Sequence, residues 1–346
     1  MSRNIVFCAD GTWDDPNNNS NVCQLYTALK KIDGVQVVMY DSGVGSSGLA
    51  IEKLLGGAVG AGLFQKIKDG YTDIAGQYQP GDQIFIFGFS RGAYTARSLA
   101  GMIAICGLPK NFQNDSNCVD MAFNAYRNQA NRTAMLASLN ATYSMDNTAT
   151  IQLLGVWDTV GSLGIPAIFG DVDMLQYGFL STTLHPNVLN AVQALAIDEH
   201  RQQFQPSLWA SEPLPNQSIT QAWFPGVHCD VGGGYAPDAN GASASNITLL
   251  WMANYAKTFG LTFTPGAISC ALIGADSVTP LHESRTGAYR IFPPHIRTID
   301  PASILASSVG IRCATPTYDY APVNLAVVGG QLAASYNLTD VANIVL

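Results

Sequence analysis

A serine flanked by glycines is the part of the sequence best suited to chemistry. Ser90 lies in the run Gly88-Phe89-Ser90-Arg91-Gly92, which follows the apolar residues 84–87 and precedes a helical pattern. A strand, a tight turn and a helix in this order predict a nucleophile elbow, where glycines avoid clashes and the helix N-terminus faces developing negative charge. A serine that only caps the helix is the structural alternative.

A serine nucleophile needs a base that accepts its proton. The chain has five histidines: His185, His200, His228, His282 and His295. We predict His228 as the base because an apolar run stops there. His282, which comes later in the chain beside an acidic residue, is the alternative. His200 lies in the charged run 198–201, which is typical of a solvated face.

The base in turn needs an acid that orients it. Asp158 follows the apolar run 153–157, so its carboxylate is expected at the same sheet edge as Ser90. The order Ser, then Asp, then His is that of α/β hydrolases. Asp230 is the alternative acid, especially if His282 were the base, and Asp198 is the third choice. A turn or helix cap is the structural alternative for Asp158.

Backbone N–H groups are expected to bind the oxyanion of the transition state. One is the N–H after the nucleophile, that of Arg91. If the nucleophile strand counts fifth in the sheet, the first strand of this chain counts third, and its loop supplies the N–H of Gly11 or Thr12. The residues expected to line the substrate are Asp10, Trp13, Phe89, Leu163 and Ile165.

Apolar runs alternate with helical patterns along the first half of the chain. Residues 4–9, 35–40, 83–87 and 151–157 indicate strands, whereas 21–32, 63–78 and 91–106 indicate helices. Continuous apolar strands joined by helices predict a parallel sheet buried on both faces. The predicted fold class is therefore α/β, with a mostly parallel central sheet flanked by helices.

The second half of the chain is harder to divide into elements. We predict a helix or a strand-helix unit over 190–204, a strand over 220–227, a helix over 247–259 and short strands in 323–346. Weakly patterned segments at about 107–149 and 162–186 are candidates for lid or cap insertions, and a loop packed against the core is the alternative for residues 162–179. No internal repeat or linker divides the chain, so a single domain over 1–346 is expected.

Composition excludes several classes of protein. Of the 346 residues, 47% are hydrophobic and 12% charged, and the net charge of −8 argues against a nucleic-acid binder. No run approaches the roughly 18 apolar residues of a membrane span. The first strand starts close to Met1, so we expect no cleaved signal and a cytoplasmic location, or export by a signal-peptide-independent route. The seven cysteines include no C-x-x-C pair, so neither a zinc site nor a thioredoxin-like motif is predicted.

Residues 43–48 formally match the G-x-G-x-x-G of a dinucleotide site. Such a site needs an acidic residue about 20 positions further on, at the end of the next strand. Asp69 has that spacing but lies in a helical pattern. We therefore interpret this loop as lining the mouth of the active site.

Six blocks of sequence resemble a known family. NIVFCADGTWD, YDSGVGSSG, GDQIFIFGFSRGAYTARSLAGMI, GVWDTVGSLG, AIDEHRQQF and WFPGVHCDVGGGY appear in order from residue 4 to about 235. Together they resemble the α/β-hydrolase-like phospholipase effectors of bacterial type VI secretion, first lipase group, and their domain-of-unknown-function relatives. The resemblance implies a triad of Ser90, Asp158 and His228 and hydrolysis of carboxylic esters, with lipid or phospholipid as one substrate class.

The sequence thus predicts a serine hydrolase that cleaves carboxylic esters through an acyl-enzyme. Esterase, lipase and phospholipase A-like activity all fit, and no metal or organic cofactor is needed. The expected partner is a small ester or lipid substrate, with contact at a lipid interface as a further option. A catalytically silent, hydrolase-like binding protein and a serine peptidase or amidase on the same fold are the alternatives.

Overall fold

A parallel eight-stranded sheet forms the centre of the computed structural model, which describes residues 2–11, 19–43, 58–160, 183–210, 212–268, 276–333 and 336–340. In chain order the strands are β1 (Asn4–Ala9), β2 (Gln36–Asp41), β3 (Gln83–Phe89), β4 (Leu108–Pro109), β5 (Met145–Asp146), β6 (Thr150–Trp157), β7 (Asn190–Ala196), β8 (Ser218–Phe224), β9 (Ile304–Ala306), β10 (Val327–Val328), β11 (Gln331–Leu332) and β12 (Asn337–Thr339). The large sheet has the order β12-β9-β8-β7-β6-β3-β1-β2, and every neighbouring pair is parallel. β4 with β5 and β10 with β11 form small antiparallel pairs.

Helices cover both faces of this sheet. They are α1 (Asn21–Ala28), α2 (Ala58–Gln77), α3 (Arg91–Cys106), α4 (Ser116–Arg127), α5 (Arg132–Thr142), α6 (His228–Gly232), α7 (Ala244–Thr258) and α8 (Ser307–Ala314). Short 3-10 turns occur at Gln202–Phe204, Gly287–Ile291 and Pro316–Tyr318. The α/β fold class, with a parallel sheet flanked by helices, is confirmed.

The strands at the centre of the sheet are mostly apolar because they contribute to two cores. In β1, Val6 and Cys8 pack in the cluster beneath α1, α7 and α8, whereas Ile5 and Phe7 pack in the cluster beneath α2 to α5. Alternate residues of a strand point to opposite faces, so a strand between two helical layers has no polar side. This explains why continuous apolar runs, rather than alternating ones, predicted the strands.

Most predicted elements occur close to their expected positions. β1 and α3 have the predicted bounds, and the region 190–204 divides into β7 and a 3-10 turn. The first helix is shorter than the predicted 21–32: it ends at Ala28, and Leu29 forms an isolated bridge with Phe263. The region 323–333 and 336–340 contains short strands, as expected.

The insertion predicted at 107–149 is a helical hairpin of α4 and α5, closed by the β4–β5 pair. The hairpin connects the end of α3 to the start of β6, and both of these lie at the amino edge of the sheet. Phe123 and Tyr126 of α4 are buried in the core beside α2 and α3. The hairpin is therefore part of the helical layer, and its two ends lie at the sheet edge opposite Ser90.

Most of the second predicted insertion, 162–186, lies outside the described residues, as do Leu163 and Ile165. Across the described part of the chain, none of the helices is long and apolar enough to cross a membrane. Asp69, considered above for a dinucleotide site, lies within α2 rather than at the end of a strand.

The order of strands creates a crevice beside Ser90. β2 lies on one side of β1 and β3 on the other, so the direction in which the sheet grows reverses at this point. Ligands of open parallel sheets bind at the carboxyl ends of the strands next to such a switch. Ser90 directly follows β3, one of the two strands that flank the crevice.

Candidate active site

Ser90 occupies a strained turn between β3 and α3. Its backbone has φ 58° and ψ −120°, a region that residues with a side chain rarely adopt. A Cβ at Gly92 would lie 2.2 Å from the carbonyl oxygen of Ala9, so only glycine lets α3 pack this closely against β1. This geometry is that of a nucleophile elbow, which presents a serine hydroxyl at the carboxyl edge of the sheet.

His228 and Asp158 form a buried hydrogen-bonded pair. His228 Nδ1 lies 2.6 Å from Asp158 Oδ2, and the side chains are 4% and 0% exposed. Asp158 follows β6 with φ 37°, and its Oδ1 also accepts a hydrogen bond from the Ala196 N–H at 3.1 Å. His228 is the first residue of α6, just beyond β8. The carboxylate thus binds the imidazole at Nδ1, and Nε2 lies on the side of the ring away from Asp158.

The pair lies on the same sheet edge as Ser90. Phe89 pairs in register with Trp157, and the Ser90 N–H donates to the Trp157 carbonyl at 3.1 Å, so Ser90 and Asp158 leave adjacent strands side by side. The His228 ring packs on Phe89 with centroids 4.6 Å apart. Nε2 of His228 is buried and has no hydrogen-bond partner among the described residues, Ser90 included. Catalytic hydrogen bonds are often open in a ligand-free site and close when substrate binds.

The electrostatics of the pair suit a general base. Burial would raise the pKa of the Asp158 carboxyl, but the charge of Arg297 and the hydrogen bond from His228 outweigh burial and hold that pKa below its usual range. Burial lowers the pKa of His228, and the hydrogen bond and charge of Asp158 offset only part of this. At neutral pH the carboxyl is therefore ionised and the imidazole is neutral, which is the state that accepts a proton.

The structure describes two of the predicted oxyanion residues, Arg91 and Gly11. Arg91 is the first residue of α3, directly after Ser90, and its role as an oxyanion donor stays a prediction. The N–H of Gly11 instead donates to the Asp10 carboxylate at 2.8 Å, so this group is already engaged. The prediction of Gly11 as a donor is not met in this conformation, because the neighbouring carboxylate accepts the hydrogen bond of this N–H. Thr12 and Trp13 lie outside the described residues.

The prediction that Asp10 lines the substrate is wrong. Its carboxylate is buried and accepts hydrogen bonds from the Ser20 hydroxyl at 2.5 Å and the Tyr40 hydroxyl at 2.6 Å, in addition to the Gly11 N–H. Burial raises the pKa of Asp10, and these hydrogen bonds offset part of that effect. Asp10 therefore joins β1 to α1 and β2 from inside the fold.

The alternative base and acid pair with each other. His282 Nδ1 lies 2.6 Å from Asp230 Oδ1, and the His282 ring stacks on Tyr235 with centroids 3.7 Å apart. Asp230 Oδ2 also accepts the Val227 N–H, which precedes α6. The side chain of His282 is 45% exposed, whereas that of His228 is buried. The second pair thus supports the start of α6 and reaches solvent.

Comparison with known proteins identifies the family of the chain. The family model for the catalytic domain of Tle1-like phospholipase effectors of type VI secretion matches residues 3–255, more than two thirds of the chain. The chain belongs to this Tle1-like family. The matched range includes Ser90, Asp158 and His228 and ends before His282.

Individual relatives of this Tle1-like chain are distant. The uncharacterised protein YEL023C of Saccharomyces cerevisiae is 24% identical over 409 residues, which cover 77% of this chain and 58% of that protein. The solved Tle1 effector bound to the VgrG spike is 19% identical with a TM-score of 0.39, over 68% of this chain and 52% of that one. An uncharacterised protein from Pseudomonas aeruginosa is 17% identical with a TM-score of 0.46, over 80% and 48%. The chain thus spans about half the length of these proteins.

Two charged residues of this Tle1-like domain were missed by sequence reasoning. Glu199 lies in the charged run predicted to be a solvated face, yet its side chain is 0% exposed. It accepts two hydrogen bonds from the guanidinium of Arg201, one from the Ser284 hydroxyl and one from the His228 N–H. Arg297, which no sequence signal singled out, contacts Asp158. Glu199 is buried because the nearby Arg201 neutralises its charge, and the Ser284 hydroxyl and the His228 N–H, from distant segments, donate further hydrogen bonds.

Aromatic rings form the surroundings of the base. The Phe204 ring meets the His228 ring edge-on at 5.0 Å, and the Arg201 guanidinium lies 3.5 Å from the Phe204 centroid. Phe89, predicted to line the substrate, also contacts the imidazole, but its ring is buried in the core. Across the described residues no group of three or more His, Cys, Asp or Glu side chains could hold a metal ion.

Proposed function

We propose that this chain is a serine hydrolase that cleaves carboxylic esters of lipids, with phospholipids as the class that its family description suggests. The observation that carries the proposal is the buried pair of His228 and Asp158, whose 2.6 Å hydrogen bond leaves Nε2 of the imidazole available at the edge where Ser90 emerges. The strained backbone of Ser90 supports the same role, since strain of this kind concentrates at functional sites.

Acylation uses the imidazole as base and then as acid. Nε2 of His228 takes the proton from the Ser90 hydroxyl as Oγ attacks the ester carbonyl, and Asp158 stabilises the imidazolium that forms. The negative charge on the carbonyl oxygen faces the start of α3, where the Arg91 N–H is the proposed donor. Collapse of the tetrahedral intermediate breaks the ester bond, and the imidazolium returns its proton to the departing alcohol.

Deacylation repeats these steps with water. His228 takes a proton from water as its oxygen attacks the acyl-serine, and the second intermediate releases a carboxylic acid and Ser90. An ionised Asp158 and a neutral His228 suit both steps because the imidazole begins each one unprotonated. Every proton transfer thus involves only Ser90, His228, water and the ester.

The walls of the site suit an apolar acyl group. The partly exposed ring of Phe204 meets the imidazole edge-on, and an aromatic surface of this kind binds hydrocarbon by excluding water. The Phe89 ring, which also contacts the imidazole, is buried in the core. The same exclusion of water strengthens the interaction of Asp158 with an imidazolium. A lipid ester therefore fits this environment better than a strongly hydrated substrate.

Variants of the two His–Asp pairs provide a direct test. Ser90→Ala and His228→Ala are expected to abolish hydrolysis of p-nitrophenyl esters and labelling by a fluorophosphonate probe while the fold is retained. His282→Ala is the matched control, because its Nδ1 also lies 2.6 Å from a buried aspartate. Activity in His228→Ala together with its loss in His282→Ala would contradict the assignment.

A lipid panel tests the substrate class separately. Vesicles containing phospholipid are expected to release fatty acid and lysophospholipid in the presence of wild type and not of Ser90→Ala. Hydrolysis of short p-nitrophenyl esters without any release from vesicles would retain the serine hydrolase and remove the phospholipid substrate. Absence of both hydrolysis and probe labelling in wild type would favour a binding protein instead.

A further inference from the structure

A buried arginine donates hydrogen bonds to both oxygens of the carboxylate that orients the proposed base. Arg297 is 1% exposed, and its guanidinium contacts both oxygens of Asp158: Nη1 lies 2.7 Å from Oδ1 and Nη2 lies 3.0 Å from Oδ2. Arg297 and Asp158 are 139 residues apart in the chain. Arg297 also lies beyond residue 255, where the match to the family model ends.

We propose that Arg297 is the positioning residue of the His228–Asp158 pair: its two-pronged contact fixes the carboxylate in the one orientation that presents Oδ2 to Nδ1 of the imidazole. This inference rests on the proposed function in that it assigns His228 as the base of the reaction. Arg297 itself touches neither the substrate nor the reacting atoms, and acts through Asp158.

The geometry around Asp158 leaves its carboxylate no freedom to rotate. Nη1 of Arg297 and the Ala196 N–H hold Oδ1, whereas Nη2 and His228 hold Oδ2. Rotation about the Cβ–Cγ bond would break all four hydrogen bonds together. A parallel fork of N–H groups onto both carboxylate oxygens is a geometry that arginine makes and lysine does not.

Arg297 is itself held in place by backbone oxygens around β7. Nη1 donates to the Ala196 carbonyl at 2.7 Å, and Nη2 donates to the Phe204 carbonyl. The side-chain amide of Asn324 donates to the Arg297 carbonyl and to the Ile197 carbonyl, both at 3.1 Å. The guanidinium therefore ties the end of β7 and the Phe204 turn to the carboxylate, and Phe204 in turn contacts the imidazole.

The charge of Arg297 also affects the basicity of His228, which an ion pair elsewhere in the fold would not do. A positive charge in contact with Asp158 opposes the formation of an imidazolium at His228, so the site gains orientation and loses some basicity. The other charged groups described near the imidazole are Glu199 and Arg201, which pair with each other. Removal of the Arg297 charge is therefore expected to raise the pKa of His228.

The test compares Arg297→Met and Arg297→Lys with a matched control. Arg312→Met removes another buried arginine, one that donates to the Thr279 carbonyl from α8 and makes no contact with the pair. The turnover of a p-nitrophenyl ester is measured across pH and divided by the fraction of folded enzyme, read from near-UV circular dichroism, so that unfolded protein does not count.

The expected result is a loss of about 10²-fold in kcat for Arg297→Met, because the carboxylate no longer holds the imidazole in place. The acid limb of its kcat/KM profile moves to higher pH. Arg297→Lys keeps the charge and loses the fork, so its kcat falls while the acid limb stays at the position of wild type. Arg312→Met is expected to keep the wild-type kcat and the wild-type position of the acid limb. Wild-type kcat and pH profile in Arg297→Met, or equal changes in Arg312→Met, would overturn the proposal.

A measurement independent of activity separates this proposal from the proposed function. Histidine-labelled protein is titrated by NMR, and the His228 resonance is assigned by comparison with His228→Ala. Arg297→Met is expected to raise the pKa of His228, and Arg297→Lys to leave it unchanged. If wild type hydrolyses no ester, the proposed function fails, and the titration still decides the role of Arg297. If Arg297→Met does not fold, an Arg297→Lys enzyme with wild-type kcat refutes the proposal.

Discussion

Replacing Asp158 by asparagine tests which of two His–Asp pairs performs the chemistry. An asparagine has one oxygen and one NH2 group where the carboxylate had two oxygens. Its oxygen fits best at the Oδ1 position, because both donors there, Arg297 Nη1 and the Ala196 N–H, are fixed. At the Oδ2 position only Arg297 Nη2 is a fixed donor, since His228 can change its tautomer. The NH2 group then faces Nδ1 of His228 and donates to it. The imidazole is forced into the tautomer with its proton on Nε2, which can no longer accept the proton of Ser90.

Two magnitudes follow from this geometry. Loss of the correct tautomer is expected to reduce kcat by about 10⁴-fold, the usual cost of this exchange in a Ser-His-Asp triad. The exchange also leaves the buried charge of Arg297 without its counter-ion, which is expected to lower the free energy of unfolding by about 3 kcal/mol. The first is measured with a p-nitrophenyl ester and the second by urea unfolding of the same samples.

Asp230→Asn is the matched control, because Asp230 is also buried and lies 2.6 Å from Nδ1 of a histidine. Its Oδ2 accepts the N–H groups of Val227 and His282, and an asparagine oxygen can keep both of these bonds. The half-exposed His282 changes tautomer without consequence for Ser90, so kcat is expected to stay within about tenfold of wild type. A larger loss of kcat in Asp230→Asn than in Asp158→Asn would refute the reasoning.

Three further predictions concern the turn at Gly92, the charge of Glu199 beside His228, and the stability of the fold at acid pH. Gly92→Ala is expected to lower the free energy of unfolding by about 3 kcal/mol or more, because its Cβ would meet the Ala9 carbonyl; urea unfolding should show no such loss in Gly76→Ala, an exposed position of α2 where a Cβ meets nothing within 4 Å. Glu199→Gln is expected to lower the pKa of His228, because the charge of Glu199 raises it, and an acid limb of kcat/KM that failed to move to lower pH would contradict this. Burial depresses the folded-state pKa of His228, so its contribution to stability is complete above the unfolded pKa of about 6.5 and is lost as pH falls through the folded pKa; urea midpoints should therefore fall less on acidification in His228→Gln than in wild type.

The elbow and its strands could be predicted from sequence because their signals are local. An apolar run, a glycine-flanked serine and a helical pattern occupy consecutive residues, and β1 and α3 have the predicted bounds. The position of Asp158 at the same edge follows from one rule, that carboxyl ends of parallel strands lie together. Ser90 and Asp158 do leave adjacent strands, as that rule requires.

Arg297 and Glu199 could not be predicted because their roles depend on contacts between distant segments. Arg297 follows a Pro-Pro pair in a region without periodicity, and its partner lies 139 residues earlier in the chain. Glu199 lies in the run Asp198-Glu199-His200-Arg201, in which three of the four residues are charged. Such a run is typical of an exposed surface. It is buried because Arg201, Ser284 and the His228 N–H satisfy its carboxylate. A sequence pattern shows that a side chain is charged, but it does not show whether a distant residue will form a hydrogen bond or an ion pair with it.

The order of strands explains why the site needs support from beyond the matched region. β8 ends two strands away from β6 and three away from β3, so His228 must reach across the end of β7 to meet Asp158 and Phe89. Helix α6 can lie against the Phe89 ring because residue 232 is a glycine. A Cβ at this position would lie only 1.9 Å from the ring.

The residues that fill the gap above β7 come from two directions. The loop after β7 supplies Glu199 and Phe204, which contact the backbone and ring of His228. The segment before β9 supplies Ser284 to Glu199 and Arg297 to Asp158. A chain cut at the end of the family match would keep Ser90, Asp158 and His228 but leave a buried carboxylate without its cation, which is costly in a nonpolar interior. In the proposed triad, the segment beyond residue 255 therefore supplies the residue that fixes the acid on which the base depends.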